Sequence, residues 1–102
     1  VQCEIGRVLA YRAAWLQGEG LPFDTEAAKV KLYTVELNQR VAAAAMEVMG
    51  LYGTLLEGSR QAPLDGRAPW YYLRCVGNTL EAGASEIDRD IIASRGLGLP
   101  RG

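Results

Sequence analysis

The sequence contains no histidine. That absence removes Ser-His-Asp and Cys-His nucleophilic chemistry, and with them the Glu-x-x-His ligand pairs of di-iron helix bundles. Two cysteines, Cys3 and Cys75, are too few for a disulfide framework. Without a signal-peptide pattern they read as reduced thiols of a cytoplasmic protein. No apolar run approaches the roughly 20 residues that a membrane helix needs, so no membrane span is expected. Basic residues number 11 against 12 acidic ones, for a net charge of −1, and no basic block stands out. A nucleic-acid or anionic-membrane surface therefore has no electrostatic support. Strand-type alternation and internal repeats are missing too.

What is present is helical. The 102 residues, 49% of them hydrophobic, suffice for one small domain with a thin stability margin. Ile5, Val8, Leu9, Trp15 and Leu16 recur at three- and four-residue spacing, which predicts a helix over about 1–19. It starts in helical rhythm without a capping residue, so further chain is expected upstream. Gly18 and Gly20 end it, and Leu21-Pro22-Phe23 makes an extended link.

Asp24 is placed to N-cap a second helix that runs to Met49 and stops at Gly50. Ala27, Val30, Thr34, Leu37, Val41, Ala44 and Val48 form its apolar stripe, while Lys29, Lys31, Glu36 and Gln39 are available to solvent. Residues 41–49 are apolar nearly all round and should be buried on most sides, with part of that surface meeting another domain or subunit. A loop with room for a short helical turn follows to Arg67. A helix over 69–76 carries Pro69 in its first turn and ends at Gly77. Ser85 and Asp88 have the spacing of a capping box for the last helix, whose apolar side is Ile87, Ile91 and Ile92. The class is all-α: two long and two short helices, a partial four-helix-bundle-like domain.

Chemistry-bearing features are few. Trp70-Tyr71-Tyr72 reads first as a core or interface anchor. Glu47 lies among apolar neighbours, where an unpaired buried carboxylate is costly, so it reaches solvent, a loop amide or a binding surface. The turn from Gly50 to Gly53 and the loop 80–85 could each offer backbone N–H groups to an anion, without matching a P-loop or dinucleotide fingerprint.

In order along the chain, these stretches resemble the C-terminal domain of acyl-CoA dehydrogenases. The matching segments are Arg12-Ala-Ala-Trp15, Ala27-Ala-Lys29, Glu47-Val-Met-Gly50-Leu-Tyr-Gly53, and Leu73-Arg74 followed by Asn78-Thr-Leu-Glu-Ala-Gly-Ala-Ser-Glu-Ile87. Arg89-Asp-Ile-Ile-Ala93 and Arg95-Gly-Leu-Gly-Leu-Pro-Arg101 complete the match. The resemblance implies a single helical domain over 1–102, the C-terminal part of a larger chain whose N-terminal helical and β domains are absent here. It implies FAD as cofactor, an acyl-CoA substrate oxidised to a trans-2-enoyl-CoA, an electron-transfer flavoprotein as acceptor, and a homo- or hetero-tetramer. Flavin and acyl-CoA oxidation need all the domains, so the isolated chain is expected to be inactive.

Residue by residue, the resemblance places Glu47, Gly50 and Gly53 at the family's contact with the ADP part of FAD, and Gly83, Ala84 and Glu86 at its second flavin motif. Both motifs depart from the family pattern. Glu47 replaces a glutamine, Leu51 a glycine and Ala84 a threonine, and Ala82 stands at the position of the usual glutamate base. Three readings follow. Glu81 serves as the base from a displaced position; the base comes from an upstream helix; or the flavin site is degraded and the chain belongs to a non-catalytic subunit of a heteromer.

Overall fold

The computed structural model describes residues 1–100, and these are helical and turn structure without a strand. Four α-helices form: α1 (Gln2–Gly18), α2 (Asp24–Met49), α3 (Arg67–Asn78) and α4 (Ser85–Ile91). Short 3₁₀ turns lie at Gly50–Thr54 and Pro63–Gly66, and a π turn at Ile92–Gly96 extends α4. The expected two long and two short helices are all present. Arg101, the last residue of the matching segments, lies outside the described residues.

The 26-residue α2 is the spine on which every other helix packs. α1 lies on its first half, where Gly6 sits against Tyr33 and Thr34, and the Tyr33 hydroxyl donates to the Gln2 carbonyl at 3.1 Å. α3 and α4 run down α2 in succession. Gln39 meets Cys75, Lys31 meets Asp88, and Asp24 meets Arg95. As the α2 number falls its partner's rises, so α3 and α4 act as one antiparallel partner, broken in the middle by the 79–84 turn.

Local details depart from the sequence expectations. Asp24 is the first helical residue, not the cap, and its carboxylate pairs with Arg95 at 2.8 Å. α3 continues through Gly77 to Asn78, because Gly77 keeps helical backbone. The Ser85–Asp88 capping box does not form: Ser85 is already helical, and Asp88 turns inward to Lys31. Gly50 does stop α2, at φ 56° and ψ −139°, a region that suits glycine.

The core is small. Among the described residues, Ala28, Leu37, Ala42, Ala68 and Cys75 are its buried apolar members, and Cys75 alone is wholly enclosed. The α2 stripe faces inward as far as Leu37. Beyond it Val41 and Val48 stay exposed, so residues 41–49 are not buried on most sides; α3 covers only the Ala42 face. The Trp70-Tyr71-Tyr72 cluster is likewise at the surface rather than in the core. The radius of gyration is 17.2 Å, well above the about 13 Å of a compact chain this long. This is an open helical slab with apolar faces left uncovered.

Candidate functional site

The break between α3 and α4 is the most elaborately held turn of the chain. α3 ends by successive carbonyl contacts: the Leu80 N–H donates to Gly77 at 3.0 Å, and the Thr79 hydroxyl donates to the Val76 carbonyl at 2.7 Å. Ala82 (φ 52°) and Gly83 (φ 101°) then reverse the backbone in the left-handed region. For alanine that conformation costs about 1–2 kcal/mol. Ala84 is extended, and the Ser85 N–H donates back to the Thr79 carbonyl at 3.0 Å, closing the turn as α4 begins. Lys31 enters from α2, donating to the Gly83 carbonyl and to Asp88 Oδ2 at 3.2 Å.

Around this turn the sequence places Glu81, Gly83, Ala84 and Glu86, and the structure brings all four together. Glu81 is 58% exposed and its carboxylate accepts from Arg74 Nη2 at 2.9 Å, while Arg74 Nη1 donates to Asn78 at 2.7 Å. The hydrogen bond and charge of Glu81 raise the Arg74 pKa above its ordinary value. Glu86 is exposed at a cleft of about 210 Å³, shared with Glu36, Gln39, Thr79 and Arg89. Among the described residues no backbone carbonyl accepts from the N–H groups of Ala82, Gly83, Ala84 or Glu86, which leaves four donors without a backbone partner at the turn.

Glu47, Gly50 and Gly53 sit elsewhere. Sixteen positions of α2 separate Lys31 from Glu47, about 24 Å at 1.5 Å per residue, and the turn also reaches Gln39, so the two groups of site residues sit at different levels along α2. Glu47 reaches solvent, which resolves the problem of a carboxylate in an apolar stretch. Gly53 is buried, and a Cβ there would stand 3.0 Å from Met49 Cβ, so close packing favours glycine at that position. An apolar cleft of about 410 Å³ opens beside this end, lined by Ala42, Ala45, Met49, Leu64, Trp70 and Tyr71 among others.

Lys31, Arg74 and Asp88 were not visible as site residues in the sequence. Lys31 reads there as solvated, but its side chain is only 22% exposed and Asp88 only 7%. A signal existed for Lys31: it follows Ala28, a core residue, by three positions, within the same inward arc.

This architecture has known relatives. The family model for the acyl-CoA dehydrogenase C-terminal domain matches residues 1–97, and the chain belongs to that family. It is 36% identical over 80 residues to the acyl-CoA dehydrogenase FadE26 of Mycobacterium tuberculosis, covering 78% of this chain and 20% of that protein. The solved ChsE4–ChsE5 complex from Mycobacterium tuberculosis superposes with a TM-score of 0.87 at 31% identity, over 99% of this chain and 26% of that one. The Tcur3481–Tcur3483 steroid acyl-CoA dehydrogenase gives 0.91 at 26% identity, again over 99% and 26%. The chain thus spans about a fifth to a quarter of the proteins it matches. The family is one of FAD-dependent oxidoreductases, and no helix of the described residues is long and apolar enough to cross a membrane.

The two ends fit a flavin unequally. The 79–86 turn offers unpaired N–H donors, which suit a polar flavin edge, although Ala84 supplies no hydroxyl. Residues 46–54 present the Glu47 carboxylate and no cation, which opposes contact with a pyrophosphate.

Proposed function

We propose that the chain supplies the C-terminal helices of an FAD-dependent acyl-CoA dehydrogenase. That enzyme converts an acyl-CoA to a trans-2-enoyl-CoA and passes electrons to an electron-transfer flavoprotein. The observation that carries this reading is the 79–86 turn, which is pinned to α2 and presents free N–H groups; by resemblance this segment aligns with the family's second flavin motif. FAD when bound would accept hydride from the acyl β-carbon. The turn's part is to orient the flavin edge and to bring a carboxylate to the α-proton. Glu81 is the only carboxylate between residues 79 and 85 and is the proposed proton acceptor; to act it must exchange Arg74 for substrate. Gly83, Ala84 and Glu86 are the proposed flavin contacts here, and Glu47, Gly50 and Gly53 those at the distant end.

A second reading draws on the Glu47 carboxylate and on two neighbours that are two-protein assemblies. In it the chain belongs to a flavin-poor subunit that completes a heteromeric dehydrogenase, a tetramer of two chain types. The exposed stretch around Val41 and Val48 suits such an assembly role. The steroid relative makes a ring-bearing acyl-CoA the substrate class to try first. The free thiols Cys3 and Cys75 fit a cytoplasmic setting.

Flavin content separates the readings. The purified full-length protein is expected to be yellow, with close to one FAD per copy of this chain. Flavin bound only when a different dehydrogenase chain is co-expressed, at about one FAD per two chains in a one-to-one complex, would favour the assembly subunit. A colourless protein under both conditions would contradict both.

A further inference from the structure

We infer that Lys31 is a positioning residue for the 79–86 turn, holding it in shape and in place from the middle of α2. This rests on the reading above that the turn meets the flavin.

Three ion pairs tie α2 to α4 and its extension: Lys31–Asp88, Glu36–Arg89 and Asp24–Arg95. The last two are surface pairs with both partners at least 43% exposed, and solvent screens them. Lys31–Asp88 is different in two ways. Asp88 is buried and, among the described residues, has no other cation against it, so loss of the lysine leaves a carboxylate out of water without a described partner. Lys31 is also the one cation of the three that donates to turn backbone, at the Gly83 carbonyl.

That second bond carries the inference. Ala82 and Gly83 are both left-handed, and Ala82 is strained there, so the local chain does not favour this shape unaided. The contact on Gly83 supplies the restraint from outside. It acts on the peptide that precedes Ala84, and through Asp88 the same ammonium fixes the first turn of α4. Ala84 and Glu86 therefore take part of their placement relative to α2 from this one side chain, and Glu81 takes its share through the turn that follows it. A lysine suits the task, because a compact ammonium with three donors serves two acceptors at once.

The test uses the full-length protein with Lys31→Met, Lys31→Arg and the pair variant Lys31→Met/Asp88→Leu. The readouts are FAD dissociation constant, rate of flavin reduction by acyl-CoA, melting temperature, and hydrogen exchange at residues 79–86. Lys31→Met is expected to weaken FAD about tenfold and to slow reduction by up to about 10²-fold through misplacement of the turn. The pair variant, with no buried charge left, is expected to melt near wild type while FAD affinity and rate stay low. Its 79–86 amides should exchange faster than wild type while α2 and α3 keep their protection. Lys31→Arg restores the charge and should recover part of the affinity. A pair variant that regains wild-type melting, FAD affinity and rate together would overturn the inference and leave Lys31 a purely structural residue. A wild-type protein that takes up no FAD would overturn the underlying reading before any variant is made, and this inference with it.

Discussion

Gly66→Ala is expected to be the most damaging single-methyl change in the chain. Gly66 has φ 75°, and a Cβ built on it would lie 2.2 Å from the Glu57 nitrogen and 2.4 Å from the Leu56 carbonyl carbon. Both neighbours are backbone, so no side-chain rotation relieves the overlap. The left-handed term costs about 1–2 kcal/mol and forced overpacking about 1–3, for a combined loss of about 2–5 kcal/mol. The consequence reaches beyond the loop. Leu64, Asp65 and Gly66 are consecutive left-handed residues that lead directly into α3, and Gly66 pinches them against residues 56 and 57. Pushing that contact apart frees the N-terminus of α3 and with it Ala68, which packs in the core. Gly58→Ala is the control. Its φ is 89°, but nothing lies within 4 Å of the added methyl, so only the backbone term applies. Thermal melts of the full-length protein should show Gly66→Ala several degrees below Gly58→Ala. Equal losses in the two variants would contradict the packing account.

Glu81→Gln is expected to lower the rate of flavin reduction by acyl-CoA about 10²–10⁴-fold, the usual weight of a positioned general base. The change keeps the size and the hydrogen-bonding reach of the side chain while removing its capacity to take the proton. It also weakens the pair with Arg74, which is exposed and worth little to the fold, so melting should stay close to wild type. That split between rate and stability distinguishes loss of a base from loss of structure. Single-turnover reduction of the FAD-loaded variant is the measurement. A wild-type rate would move the base to a segment outside these residues, in keeping with the alanine at position 82.

The long elements were readable because periodicity speaks for them. α1 and α2 follow their apolar spacing, and Gly50 ends α2 as a glycine in that conformation should. What misled was the meaning of apolarity in the second half of α2. Val41, Ala44 and Val48 continue the stripe without a fault, yet in this chain they face outward, because the partner helix approaches on the Gln39 and Ala42 side. A stripe shows that a surface is to be covered, and cannot say which element covers it. Asp88 failed as a capping residue for a related reason. The spacing from Ser85 satisfied a local rule, but Lys31, 57 residues away, offered its carboxylate a stronger tertiary partner.

The candidate residues fall into two groups that sequence adjacency already sets: Glu81, Gly83, Ala84 and Glu86 at one turn, and Glu47, Gly50 and Gly53 at another. Their different levels along α2 were not evident from motifs read one at a time. Lys31 was hidden because a lysine on an amphipathic helix is ordinarily solvated, and only the fold brings Gly83 and Asp88 to it. The left-handed Leu64 was hidden as well, since leucine does not announce that conformation, whereas Asp65-Gly66 is a turn dipeptide.

The most direct test of the account is anaerobic titration of the full-length protein with acyl-CoA thioesters, steroid-bearing and short-chain, following the flavin absorbance and the product. Bleaching of the flavin with one trans-2-enoyl-CoA formed per flavin reduced is the predicted result. A flavin-loaded protein that no acyl-CoA reduces would contradict it.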